Sequence, residues 1–305
     1  MIYPANFEEK IGFDRIREQV TALCSTPSAK AKLAEEGFST SADEIERRLS
    51  LMNEMRSLLM LERDFPDGDY PDPAPLVAKI RVEGSYLLAA EADQLRKALV
   101  TVGAIAEFIL GRGGAHYPRL WELSRRVTLF PEIVRAIDAI LDDRGEVKDS
   151  ASPELQQVRR AIREREGQAA KRLQQVLQRA KQAGIVDADA VLSVRDGRPV
   201  IPVAAANKRK LQGFIHDESA TGRTFYVEPV EVVEINNELK ELEYAERREV
   251  VKVLSAFTES IRLDAEAIAD AGDYLSSVDM IRAKARWALA NDAGKPILST
   301  DDRLG

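Results

Sequence analysis

Cysteine is almost missing from this 305-residue chain: Cys24 is the single one, which excludes an internal disulfide framework and every zinc site built on several cysteines. The two histidines, His116 and His216, stand far apart. Aromatic residues make up 6% of the chain, and 13 Pro and 17 Gly are too few for a low-complexity or collagen-like sequence. No uncharged apolar run approaches the roughly 20 residues of a membrane helix, and the opening MIYPANFEEK has acids where a signal peptide has its apolar segment. We therefore expect a cytoplasmic protein with no membrane partner. A GxxxxGK[ST] phosphate loop is missing as well, since Gly294-Lys295-Pro296 has neither the preceding glycine nor the following hydroxyl residue. A global basic excess is lacking too: 44 Lys and Arg stand against 51 Asp and Glu, a net charge of −7, so any affinity for nucleic acid must come from a local patch.

What is abundant is Ala, Leu, Glu, Arg and Gln, straight-chain helix formers that predict a mainly α protein. In the first 150 residues, Phe13, Ile16, Val20, Leu23 and Cys24 recur at helical spacing, which makes Cys24 a core residue rather than a reactive thiol. A capping pattern at Ser41 and Glu44 introduces a second stripe of Ile45, Leu49, Met52 and Leu59. Leu95, Leu99, Val102, Ala106 and Ile109 form a third; Phe130, Ile133, Val134, Ile137, Ile140 and Leu141 form a fourth. The segments 64–75 and 111–116 are too rich in Pro and Gly for helix. Asp64, Asp67, Asp69 and Asp72 lack the glutamate and spacing of an EF-hand, so the first of these segments is expected to be a solvated connector.

The style changes at Ser152-Pro153-Glu154, a helix start. Leu155, Ile162, Ala169, Val176 and Ala183 then recur every seven residues, a narrow coiled-coil-like stripe that needs a partner. The next long helical stretch, from about Val230, offers one, with Leu254, Ile261, Ile268 and Leu275 repeating every seven. Charge favours an antiparallel pair: 153–183 carries eight bases and three acids, 231–270 five bases and eleven acids. Arg159, Arg160 and Arg163 are accordingly expected to serve the helix pair, and Gly272 is the expected interruption of the returning helix.

Between the helices the period changes to that of strands. Val191–Val194 and Val200–Val203 flank Arg195-Asp196-Gly197-Arg198, and Gly213–His216 and Thr224–Val227 flank Ser219–Gly222, two hairpins with Pro199 and Pro202 pointing to an edge strand. His216, Asp217 and Ser219 include the residue types of a nucleophilic triad, but near neighbours on a strand do not converge. The expected architecture is a helical body, a two-helix arm and a small β-rich head at its tip. From Arg195 to Thr224 the bases Arg195, Arg198, Lys208, Arg209, Lys210 and Arg223 face only Asp196, Asp217 and Glu218, so the head is locally +3. These six are the candidate phosphate contacts, insensitive to base sequence. A protein-docking arm whose charges only keep it soluble is the alternative. No catalytic residue and no metal ligand is identified.

The stretch from Val194 to Val203, the run GFIHDESATGRTFYVEP from Gly213 to Pro229, EINNELKELEYAERREV from Glu234 to Val250, and the opening around Ile11–Arg17 and Leu23–Thr26 resemble the second MutS branch. These are MutS-like ATPases without mismatch-recognition domains, usually with a C-terminal Smr nuclease domain. The resemblance implies a helical core domain over 1–150, an outgoing lever helix over 151–184, a clamp head over 185–229, and a returning lever over 230–305. An ATPase domain, with its ATP and Mg, should follow soon after Gly305, because Ala283–Trp287 resembles its approach. The family's phosphate loop and nuclease residues match no position here. The implied partners are DNA, in suppression of recombination, and the rRNA of collided ribosomes, with homodimerisation in the full-length ATPase and endonuclease.

Overall fold

The computed structural model describes residues 6–195 and 197–298. The protein is mainly helical with one small four-stranded antiparallel sheet, and it divides into two compact units, Met1–Val147 with Leu254–Gly305, and Lys148–Val253.

The first unit begins with α1 (Phe7–Ile11), α2 (Phe13–Ala22), α3 (Pro27–Glu35) and α4 (Ala42–Leu61), followed by α5 (Ala74–Ile80), α6 (Ala89–Gly111), α7 (Pro118–Ser124) and α8 (Pro131–Ile140). Side-chain hydroxyls start α3 and α4: Thr26 Oγ1 accepts from the Ala29 amide at 3.1 Å and Ser41 Oγ from that of Glu44 at 3.3 Å. The stripe on α6 is buried as its spacing predicts. On α4 the buried positions are Leu51, Met55 and Leu58, whereas Ile45, Leu49, Met52 and Leu59 are half-buried. The expected stripe thus lies one residue off the helix's inward face. Cys24 is buried, and burial raises its thiol pKa to about 11.

Segment 64–75 departs from expectation. Phe65 and Tyr70 are buried in the main core, and Asp72 accepts from the backbone and hydroxyl of Ser28. Asp67 receives Arg286 at 2.7 Å and Arg282 at 3.3 Å. This stretch is a packed tie rather than a solvated connector, and its carboxylates hold neighbouring elements of the unit together.

The expected single returning helix is two, α10 (Val230–Ser260) and α11 (Ala265–Ala290). The break is a short 3-10 turn at Arg262–Asp264, and Gly272 lies within unbroken helix. A Cβ there would come within 2.8 Å of the Pro73 ring, so Gly272 permits close packing instead of a bend. In the same helix Arg282 is fully buried over the Tyr70 ring, 3.7 Å from its centroid. Its guanidinium donates to Gly68 O, Ser25 Oγ and Asp279, which also accepts from Thr26. These partners compensate the buried charge at both terminal nitrogens, while Arg282 Nε has no hydrogen-bond partner among the described residues.

The second unit contains α9 (Pro153–Gln182), capped by Ser152, the unit's part of α10, and β1 (Ser193–Arg195), β2 (Arg198–Ala204), β3 (Gly213–Glu218) and β4 (Thr224–Pro229). Of the heptad stripe, Leu155, Ala169 and Val176 are buried, Ile162 is half-buried, and Ala183, just past the end of α9, is exposed. Its cover changes along the helix. Leu173, Val176, Leu177 and Ala180 pack with Ile201, Val203, Val227 and Val232, so the C-terminal half lies on the sheet. Ion pairs Arg159–Glu246, Arg165–Glu238 and Arg179–Glu231, at 2.8, 2.8 and 3.3 Å, link α9 to α10 in reversed order, as antiparallel neighbours require. Arg159 and Arg163 also bind Asp149.

The sheet order is β1-β2-β4-β3, which makes β2 a central strand and corrects the edge-strand expectation. The prolines fit because β2 changes neighbour midway: residues 198–200 pair with β1 and 201–204 with β4. Pro199 and Pro202 each face one partner, so each missing N–H points to an unpaired flank. The first turn includes Asp196, which lies outside the described residues; Gly197 there has φ +73°.

Candidate nucleic-acid interface

The β2–β3 connection grows from the end of β2 as a short 3-10 turn, Ala205–Asn207, that leads directly into Lys208-Arg209-Lys210. The Asn207 carboxamide donates to Ile185 O at 3.0 Å, just beyond the end of α9, and the Lys210 amide closes onto Asn207 O at 2.8 Å. These bonds hold the basic triplet in place. All three side chains are exposed, and Lys208 Nζ lies over the Phe225 ring, 4.3 Å from its centroid. Arg223 joins them because its carbonyl accepts from the Ala205 amide at 2.9 Å. Among the described residues, none of these four cations forms an ion pair.

Arg198 begins β2 and Arg195, its partner at the end of β1, lies beside it, about 20 Å from the other end of β2 at roughly 3.3 Å per residue. Arg195 stacks on Tyr226 at 3.8 Å and donates to Asp217 at 2.9 Å. Arg198 points inward. Its guanidinium donates to both oxygens of Glu228 at 2.9 Å and to Asn237 at 3.0 Å, and Glu228 is 1% exposed. The six basic residues therefore form two groups: an exposed set of four and a pair engaged within the fold.

Glu228 is the centre of this inner network. Phe214 pairs with it across the sheet, and a register shift between Ile215 and Asp217 leaves His216 as an extra residue that the bulge turns toward the carboxylate. His216 Nε2 lies 2.6 Å from Glu228 Oε2, and Asn236 donates at 2.6 Å from the first turns of α10. Burial opposes ionisation of Glu228, but hydrogen bonds from Asn236, His216 and Arg198 outweigh it and hold the carboxyl below its ordinary range. His216, Asp217 and Ser219 find three different partners, Glu228, Arg195 and the Thr224 amide. They form no triad. Composition alone does not expose Glu228, because a lone acid on a strand normally faces water; Asn207 has one cue, its position before the basic triplet.

No group of three or more His, Cys, Asp or Glu converges on a metal-sized site among the described residues. No helix among them is long and apolar enough to cross a membrane.

The chain is 30% identical over 291 residues to endonuclease MutS2 of Bacillus velezensis, which covers 95% of this chain and 37% of that protein. Across that length the chain is MutS2-like. Endonuclease MutS2 of Thermomicrobium roseum is 31% identical over 288 residues, and the putative endonuclease MutS2 of Bacillus subtilis 29% over 289. The chain thus spans a little over a third of the length of the curated relatives it matches, 36–37%. No protein-family model matches it.

Proposed function

We propose that this chain is the core, lever and clamp region of a MutS2-like, nucleic-acid-acting protein, and that its sheet grips the phosphate backbone of branched or double-stranded DNA. The observation that carries the reading is the exposed set Lys208, Arg209, Lys210 and Arg223, four cations without an ion pair among the described residues, on a loop pinned by Asn207. Exposed cations on a loop whose backbone is already held neutralise phosphates at a lower ordering cost than those of a free segment. In the same reading α9 and α10 act as levers, and Arg195 and Arg198 brace the clamp instead of touching DNA. ATP, Mg and the nuclease residues belong to the remaining length of the full protein, which works as a homodimer. No step of catalysis is assigned to this chain.

The test is a titration of the chain into labelled branched DNA and, separately, ribosomes across a salt series, with the Lys208→Ala, Arg209→Ala, Lys210→Ala variant beside the wild type. Each lost phosphate contact removes about 0.9 from the slope of log affinity against log salt, so the triple variant should lose about 2.7. A slope equal to the wild type's, or binding that survives high salt and nuclease treatment, refutes the clamp and supports a protein-docking arm. Stronger binding to ribosomes than to DNA shifts the substrate to rRNA.

A further inference from the structure

The charges along α9 are unevenly placed. Its first half contains Glu154, Glu164 and Glu166, but from Gly167 to Val186 there is no Asp or Glu at all. That stretch supplies Lys171, Arg172, Arg179 and Lys181 together with Gln174, Gln175, Gln178 and Gln182. At 3.6 residues per turn, all of these except Lys181 fall on one continuous arc of about 160°, and all seven on that arc are exposed. The opposite side is buried, and its Leu173, Val176, Leu177 and Ala180 pack against the sheet, which turns the polar face away from it.

An ordinary solvated helix face mixes both signs of charge. Two of the cations here have structural reasons to be present. Arg179 and Lys181 sit in the last turn, where they complement the helix dipole, and they bind Glu231 and Ala188 O. Lys171 and Arg172 lie about two turns upstream, beyond the reach of that effect, and among the described residues neither has an ion pair. The basic loop is also tied to the end of this helix, because Asn207 donates to Gly184 O and Ile185 O just after α9.

We infer that the phosphate-binding surface extends from Lys208–Lys210 along this face of α9, with Lys171 and Arg172 as phosphate contacts and Gln175 and Gln178 donating to backbone oxygens of duplex DNA. This extension rests on the clamp reading above. Charge complementarity selects the ligand, an acid-free surface for a polyanion. The stretch from Lys171 to Gln182 covers about 17 Å at 1.5 Å per residue, about the rise of five nucleotides of a duplex at 3.4 Å each. No aromatic residue occurs between Gly167 and Val186, so there is no platform for unstacked bases and the strands stay paired.

The experiment measures binding of the 305-residue chain to a labelled 30-bp DNA duplex, the corresponding single strand and an RNA duplex of equal length, between 50 and 200 mM salt. The Lys171→Ala, Arg172→Ala double variant should lose about 1.8 in salt slope, so the ratio of its affinities at the two salt concentrations shrinks about twelve-fold. The Gln175→Ala, Gln178→Ala variant should bind more weakly at every salt with its slope unchanged, a result that lost charge cannot produce. Both changes lie on an exposed helix face, and unchanged circular dichroism confirms folding. A wild-type slope in the Lys171/Arg172 variant, while the Lys208–Lys210 variant loses its own, overturns the extension and leaves the clamp standing. An equal slope change on single strands overturns the duplex assignment, and tighter binding of the RNA duplex overturns DNA. Absence of binding by the wild type overturns clamp and extension together.

Discussion

Arg198→Ala separates the structural from the binding role of the basic residues. Arg198 donates to both oxygens of a carboxylate that is 1% exposed, so its removal leaves that buried charge without two of its hydrogen bonds. Removing one member of a buried ion pair costs about 3–5 kcal/mol. The Arg198 side chain is itself 23% exposed and His216 and Asn236 still serve Glu228, so the lower end, about 3 kcal/mol or roughly a hundredfold in the folding equilibrium, is expected. Both tryptophans, Trp121 and Trp287, belong to the other unit, so their fluorescence does not report this loss. Amide hydrogen exchange over residues 213–229 does. The pH dependence follows from the same network. The native carboxyl of Glu228 is held below the unfolded value of about 4.3, so its contribution is complete above that value and disappears as pH falls through the lower native one. Without Arg198 the native value rises, and acid unfolding should begin at a higher pH. At a temperature where the variant remains folded, its salt slope for DNA should equal that of the wild type. Unchanged exchange protection, or a slope reduced by about 1, refutes the inward role of Arg198.

Gly213 is fixed by contact. An added Cβ would lie 2.2 Å from the Glu228 carbonyl oxygen, so Gly213→Ala should cost about 3 kcal/mol by forcing β3 from β4, seen as lost exchange protection at Val227 and Glu228. The Cys24 thiol, buried and with a pKa pushed up to about 11, should resist iodoacetamide at pH 8 in the folded chain and react fully in denaturant; rapid native labelling contradicts its place in the core.

Local regularities carried far into the fold. The capping residues Ser41 and Ser152, the stripes on α6 and α9, the second hairpin and the exposure of Lys208–Lys210 were legible because each depends on neighbours within one or two turns. The resemblance in the Gly213–Pro229 run agrees with the MutS2 relatives found over nearly the whole chain. Other features required partners distant in sequence. Pro73 against Gly272 decides that the glycine packs instead of bending its helix. The change of neighbour along β2 decides that two prolines can sit in a central strand. A bulge at His216, a buried acid at Glu228 and a guanidinium from β2 meet only when the sheet closes. The sequence determined which residues carry charge and which segments are helix or strand, since those are properties of the chain and its immediate neighbours. Tertiary structure alone decided which cations remain open to a ligand, because a charge is free or engaged according to what folding brings within about 4 Å of it.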